Sequence, residues 1–525
     1  MKRSPPQSSS KEQELKTATL KEWIAFSCMV FGMFMAILDI QIVASSLNEI
    51  QAGLSASVDE IGWVQTSYLI AEVIMIPLSG FLARLLSTRI LFVCSVVGFT
   101  FMSVACACAW SIESMIVFRA LQGFMGGAMI PTVFSASFTM FGNNQRAVAS
   151  IMVGLIATMA PTLGPTLGGY LTQVFSWHWL FLINLVPGCL VAISVWKLVH
   201  IDEPDFSLIK GFDFLGLALM AIFLGSLQFV LEEGSRKNWF EDDIIVLTAF
   251  ISSISALFFC IRMFTYQNPI VDLRAYKDRN FSVGSLYSFI IGVGLYGSVY
   301  LIPLFLARIR GYNSLQIGQL MMITGVFQFL SAPIAGILSK KLEPRVMLAI
   351  GLVSFAVGLH FNSLLTADSS FWEFFPPQAI RGFSLMFCFI PINNLALGTL
   401  PPDQLKNASG LYNLMRNLGG ALGLAVLNTF VRDRTALHYS RIADYLSTTN
   451  QVFQDTLLGL TENLKDVMPG LEDLAALKVI FSLAQRQSLI MAFNDAFLFV
   501  SSFFICSIFF MPLIRKPKFT VKEAL

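Results

Sequence analysis

The feature that most constrains this chain is a succession of apolar runs, each about 20 residues long, the length needed to cross a hydrocarbon core. About fourteen can be counted, beginning near Trp23, Glu60, Thr88, Glu113, Ala147, Trp179, Phe212, Ile244, Phe281, Leu315, Arg345, Phe374, Ala408 and Met491. With no water to satisfy backbone amides in lipid, such runs must close their hydrogen bonds internally, so an all-α polytopic membrane protein is expected. Composition agrees: 55% of residues are hydrophobic and 13% charged, against roughly one quarter charged in soluble domains. The net charge of +2, with no clustered basic face, argues against a nucleic-acid partner. The polar stretch from Met1 to Leu20 and the length of the first apolar run predict that no signal peptide is cleaved.

Lys and Arg sort onto alternate connections. Lys2, Arg3, Lys11, Lys16 and Lys21 precede the first span, and Arg84, Arg89, Arg146, Lys197, Lys210, Arg274, Lys277, Arg279, Lys340, Lys341 and Lys406 follow even-numbered spans. This bias puts both termini in the cytoplasm. Arg236, Lys237, Arg308 and Arg310 fall on the other side, the first two among Glu232, Glu233, Glu241, Asp242 and Asp243. Ser57 to Glu60 has the form of a capping box that starts the second helix.

An internal echo sets the organisation. Gln122-Gly123-Phe124, Ile130-Pro131 and Ala149-Ser150 are matched by Arg381-Gly382-Phe383, Ile390-Pro391 and Ala408-Ser409. The fourth and fifth spans thus resemble the twelfth and thirteenth, as expected of a duplicated six-span unit with two spans inserted between the copies. The expected divisions are a cytoplasmic tail (1–22), a first six-helix bundle (23–200), two inserted helices (201–265), five helices of a second bundle (266–431), an extracytoplasmic connection (432–490) and a last helix with a cytoplasmic tail (491–525). Amphipathic spacing from Val467 to Gln485 predicts helix within that long connection.

Ionisable groups inside a span cost at least about 2.5 to 3.5 kcal/mol and are functional candidates. Asp39, Glu72 and Arg119 are such groups. By helical rise Asp39 and Arg119 share the outer third, where they could pair, and Glu72 lies near the midplane without an evident ion partner. A carboxyl held out of water without a partner exchanges a proton near neutral pH. Glu72 is therefore the leading proton carrier, and Asp39 the second candidate or else a structural ion. Arg119, with Gln122, would hold or modulate a carboxylate or attract an anionic substrate. Gly123 and Gly127, on the same helix, have the spacing of a close helix contact. Arg416, a further candidate for charge modulation or substrate contact, sits about two turns into the thirteenth span, from which its side chain would otherwise snorkel to the cytoplasmic surface. Asn393, Asn394, Asn494 and Asp495 are weaker polar candidates.

Ala160 to Gly169 is a run of small residues with Pro161 and Pro165 inside an apolar span. Proline removes a backbone donor and glycine admits a neighbouring backbone, so this segment must be bent or tightly packed. No metal site is expected, because the eight cysteines lie in apolar stretches without metal-ligand spacing. His178, His200, His360 and His438 lie at span ends or in a loop, forming none of the activating constellations an enzyme would need.

With these residues in place, the chain resembles the EmrB/QacA-type drug:proton antiporters, the fourteen-span branch of the major facilitator superfamily. Leu38 to Ala44 resembles that branch's first-span aspartate motif, Arg119 to Ala128 its fourth-span arginine-glycine motif, and Ala160 to Gly169 its antiporter motif, with Ala160 in place of the leading glycine. The motif's Gly164, Pro165, Gly168 and Gly169 would seal the outer side. Two six-helix bundles plus two inserted helices are implied, rocking around a central cavity and driven by the proton gradient without any cofactor. Departures occur in the loop after the second span, where Arg84 replaces an aspartate and Ser87 a glycine, which puts that loop's usual gating charge pair in question.

The resemblance implies efflux of amphipathic or hydrophobic small molecules across a bacterial cytoplasmic (inner) membrane, with protons as counter-substrate and lipid around the bundle. It also implies that a periplasmic adaptor and outer-membrane channel could dock on the connection from Arg432 to Ser488. A specific metabolite exporter, for a siderophore or fatty acid, and an importer of the same fold remain open alternatives.

Overall fold

The computed structural model describes residues 18–515 apart from 268, 402, 466 and 468, so Lys2, Arg3, Lys11 and Lys16 lie outside the described residues. Among the described residues, fourteen helices are long and apolar enough to span a membrane: α1 (Leu20–Ala44), α2 (Val58–Leu86), α3 (Thr88–Ala107), α4 (Ile112–Thr139), α5 (Gln145–Val174), α6 (Trp179–Leu198), α7 (Phe214–Glu233), α8 (Asp243–Thr265), α9 (Arg279–Arg310), α10 (Ser314–Leu338), α11 (Pro344–Asn362), α12 (Phe371–Leu397), α13 (Leu405–Ala443) and α14 (Glu472–Leu513). No strand occurs among the described residues. An even number of spans puts Leu20 and Leu513 on one side, called here the N-terminal face.

Local chemistry starts several of these helices close to where the sequence predicts, whereas α14 begins at Glu472, well ahead of the expected Met491. The Ser57 hydroxyl accepts from the Glu60 amide at 3.2 Å while the Glu60 carboxylate accepts from the Ser57 amide at 2.9 Å, the reciprocal cap that satisfies two free donors. Asn313 and Gln316 do the same for α10. Helix α4 is interrupted at Gly127–Ala128, between Ile112–Gly126 and Met129–Thr139. Helix α5 instead runs unbroken through Pro161 and Pro165, so close packing, and not a break, accounts for its small residues.

The packing pairs of the first six spans recur eight spans later. Helix α1 packs on α5 as α9 does on α13, and α2 on α4 as α10 does on α12. The repeat is visible at atomic detail in Arg119-Ala-Leu-Gln122-Gly123-Phe124 and Gln378-Ala-Ile-Arg381-Gly382-Phe383, where the arginine and glutamine have exchanged places. Each glycine lets α4 or α12 approach a backbone, since a Cβ at Gly123 would overlap the Tyr68 carbonyl oxygen and one at Gly382 that of Thr324.

Helices α7 and α8 pack together, and α7 also packs on α2 and α13. The inserted pair is thus attached to both halves of the molecule. The expected connection from 432 to 490 is largely helical. Helix α13 continues to Ala443 and α14 begins at Glu472, with a further helix, Gln451–Leu464, between them.

Candidate functional site

A cavity of about 610 Å³ lies between the two halves. Its walls come from α1, α2, α5, α7, α9, α10 and α13, all from the ends remote from the N-terminal face, and its rim includes Leu47 to Glu49 and Tyr312 to Ser314. On the N-terminal face the halves meet. The Lys406 ammonium pairs with Asp202 and donates to the Ala83 carbonyl at 3.0 Å, and Gly80 stands against the Lys406 and Asn407 backbone. Asp202 also accepts the Thr88 amide at 3.0 Å, capping α3. A carboxylate from the segment after α6 therefore ties the α2–α3 turn to the second half, just past the last turn of α2, where Arg84 stands in place of the pattern's aspartate. Ser87, at the pattern's second glycine, has φ 78° and ψ 154°, a conformation that glycine adopts freely and other residues rarely.

Asp39 and Arg119 do meet. Arg119 Nη1 is 2.6 Å from Asp39 Oδ2, both side chains fully shielded, and the other Asp39 oxygen accepts from Gln122 Nε2 at 3.2 Å and Asn184 Nδ2 at 3.0 Å. Arg119 Nε donates to the Val64 carbonyl at 3.2 Å, and the guanidinium lies 4.2 Å from the centre of the Tyr68 ring. Charge-assisted bonds from three side chains hold the carboxylate in place. This arrangement ties α1, α2, α4 and α6 together; Asp39, Arg119 and Gln122 are not among the residues lining the cavity.

Glu72 is different. Its side chain lines the cavity, the residue is 1% exposed, and its Oε1 has no hydrogen-bond partner. No ion pair reaches it among the described residues.

Arg416 does not snorkel to the N-terminal face. It is 2% exposed and donates to Asn413 Oδ1 at 2.6 Å, with its guanidinium 5.2 and 5.6 Å from the ring centres of Phe134 on α4 and Phe389 on α12. Residues of both halves enclose it, because rings from α4 and α12 converge where α13 crosses. One turn on, Asn417 lines the cavity.

Two charged residues escaped the sequence reading. Glu232 read as part of a polar connection, yet it closes α7 and lines the cavity. Its position in the last turn of an apolar run was the available signal. Arg381 was visible only as part of the echo. It is 1% exposed, donates to Thr324 Oγ1 at 3.1 Å and has an unpartnered Nη1. No carboxylate pairs with it among the described residues.

The antiporter-motif segment forms two seams. On α1, a Cβ at Gly164 would overlap Gln41, and one at Gly168 would lie 2.9 Å from the Ile42 carbonyl oxygen. On α10, Thr166 Oγ1 donates to the Gly318 carbonyl at 3.0 Å, and Gly169 abuts Ser314. Pro165 lies between these seams on the cavity wall.

Two helical halves around a mostly apolar cavity that carries a few carboxyl groups, closed on one face and rimmed on the other, define a polytopic membrane transporter. The chain belongs to the Major Facilitator Superfamily, whose family model matches residues 29–424, and its relatives place it in the EmrB/QacA-type branch. It is 43% identical to the colistin resistance protein EmrB of Acinetobacter baumannii, over 92% of this chain and 94% of that protein. It is 29% identical to the multidrug export protein EmrB of Escherichia coli K12, over 90% and 91%, and 29% identical to the fatty acid resistance protein FarB of Neisseria gonorrhoeae, over 96% and 97%. The fold is shared with the human organic anion transporter MFSD10, at TM-score 0.57 and 13% identity over 93% of this chain and 99% of that one. It is likewise shared with the proton:xylose symporter XylE, at TM-score 0.56 and 11% identity over 93% and 95%.

Proposed function

We propose that the protein exports amphipathic or hydrophobic compounds across a bacterial cytoplasmic membrane in exchange for protons, with the N-terminal face in the cytoplasm. Export is supported by the similarity to the multidrug export protein EmrB of Escherichia coli, and the side assignment by the Lys and Arg bias of the connections. On this reading the cavity is the substrate site, here accessible from outside.

The observation that carries proton exchange is Glu72, a carboxyl on the cavity wall that is buried and unpartnered. A buried carboxylate without a counter-ion is costly, so proton binding and release change the preferred arrangement around it. A proton taken up from outside neutralises Glu72 and frees substrate; release to the cytoplasm resets the carrier. Each proton supplies about 2.3 kcal/mol per 100 mV of potential and about 1.4 kcal/mol per pH unit. Asp39 is enclosed by three donors from Arg119, Gln122 and Asn184, which supports a structural role for it and leaves the exchange to Glu72.

The helical projection built from the ends of α13 and α14 and the helix Gln451–Leu464 is the proposed contact for a periplasmic adaptor leading to an outer-membrane channel. Its exposed Val452, Leu458 and Leu474 supply apolar area for that contact.

The test is Glu72→Gln in proteoliposomes. Substrate-dependent proton flux should vanish while the variant still folds and binds substrate. Coupled transport that survived the substitution would remove Glu72 from this role.

A further inference from the structure

The inserted helix α7 has a function beyond spacing the two halves. It lies across the seam between α2 and α13. Trp63 stacks on Phe229 with ring centres 5.5 Å apart, Arg236 reaches the Asp59 carbonyl at 3.0 Å, and Trp239 donates to Thr429 Oγ1 at 2.7 Å. Arg432 closes the same corner with a bond to the Ser235 carbonyl at 2.7 Å. Fixed in this way, the last turns of α7 present Gln228 and Glu232 to the cavity.

Two adjacent carboxylates end this helix, and they are treated differently. Glu233 is buried and paired with Arg236 at 2.5 Å. Glu232 receives a single hydrogen bond, from Gln228 Nε2 at 2.9 Å, and no Lys, Arg or His pairs with it among the described residues. The cavity lining as a whole contains Glu49, Glu72 and Glu232 and no Lys, Arg or His. Glu72, buried on the same wall with its Oε1 lacking a hydrogen-bond partner, is a second, independent sign that this wall awaits a positively charged group. Tyr296, Tyr300 and Tyr312 add aromatic rings to the lining, whose faces attract cations.

We propose that Glu232, held by Gln228 on the inserted helix, anchors the positively charged group of the substrate and makes the cavity selective for amphipathic cations. The inference rests on the reading of this cavity as the substrate site. In this division Glu232 meets the substrate's charge while Glu72 exchanges the proton, so the inserted helix sets selectivity and α2 sets coupling. An amphipathic anion would meet three carboxyl groups on the lining, with Arg416 held behind it between Phe134 and Phe389.

The test uses the full-length protein in detergent, without a proton gradient, and two probes of matched size and opposite charge, tetraphenylphosphonium and tetraphenylborate. The wild type should bind the cation at least about tenfold more tightly, about 1.4 kcal/mol. Glu232→Gln should reduce that ratio by about tenfold, and Glu232→Asp should retain most of it. Gln228→Lys, which places an ammonium beside an unaltered Glu232, should also erase the preference and serves if Glu232→Gln fails to fold. Equal affinity for both probes in the wild type, or a ratio unmoved in both Glu232→Gln and Gln228→Lys, overturns the proposal. Ala44→Trp, Leu304→Trp and Ala307→Trp together, which crowd the cavity from α1 and α9, should abolish binding of both probes. If both still bind, the cavity is not the substrate site, and the functional reading falls together with this one. If both are lost but the ratio is indifferent to Glu232, the cation anchor alone is wrong.

Discussion

Arg119 Nη1 stands 2.6 Å from Asp39 Oδ2, with neither side chain reaching solvent. The pair joins α4 to α1, and Gln122 and Asn184 complete it from α4 and α6. Removing one member of a buried pair leaves the other uncompensated, at about 3–5 kcal/mol, whereas replacing both by apolar groups is often close to neutral. Arg119→Ala should therefore abolish transport and lower the thermal unfolding midpoint, and Arg119→Met combined with Asp39→Leu should recover much of the midpoint but none of the transport. A double-mutant cycle of unfolding midpoints in detergent measures this; strict additivity would mean the two residues do not interact.

At Gly168 α5 lies against the end of α1, where an added Cβ would stand 2.5 Å from Ser45 Oγ and 2.9 Å from the Ile42 carbonyl oxygen. Gly168→Ala should push these helices apart beside Pro165, which lines the cavity. We expect substrate-free proton leak through proteoliposomes to rise several-fold while the protein remains folded by size-exclusion chromatography. A leak no greater than that of the wild type would detach this segment from sealing.

Lys406 holds the N-terminal face shut through Asp202 and the Ala83 carbonyl. Lys406→Ala should shift the population toward states open on that face, and a tenfold shift corresponds to about 1.4 kcal/mol. A cysteine placed at Ser135, beside Lys406 in a small recess, should then react faster with an impermeant thiol reagent applied to the N-terminal face. Unchanged labelling would mean that other contacts suffice to keep it closed.

Ser87 occupies φ 78° and ψ 154°. Such a conformation costs a residue bearing a Cβ about 1–3 kcal/mol. Its hydroxyl caps the Ile90 amide at 3.3 Å, and exchanging a cap of this kind for glycine costs only a few tenths of a kcal/mol. Ser87→Gly should thus stabilise the protein by about 1 kcal/mol, visible as a raised unfolding midpoint. A lowered midpoint would show that the cap outweighs the strain.

Much of the fold was legible because a membrane leaves few choices. Apolar runs such as Thr88 to Ala107 announce helices by length alone, and capping residues such as Ser57 and Asn313 mark their starts. The pairing of Asp39 with Arg119 could be anticipated from their equal depth. The end of α7 was less legible, because Glu232 and Glu233 lie among Arg236, Lys237 and Asp242 and read as a solvated turn. Nothing local tells which of two adjacent carboxylates Arg236 will neutralise. Arg416 likewise lies near enough to a span end to suggest a surface position, and only the convergence of Phe134 and Phe389 encloses it.

The sequence by itself determined the spans, their alternation, the repeat carried by Gly123 and Gly382, and the short list of charges that lipid would not tolerate unpaired. Those follow from local hydrophobicity and backbone chemistry, which act within a few turns of helix. The tertiary structure decided which charges are spent on one another and which are left facing the cavity: Asp39 against Arg119, Glu233 against Arg236, and Glu72 and Glu232 without a cation. That division depends on how helices far apart in the chain pack and rotate against each other, and a one-dimensional pattern carries no record of it.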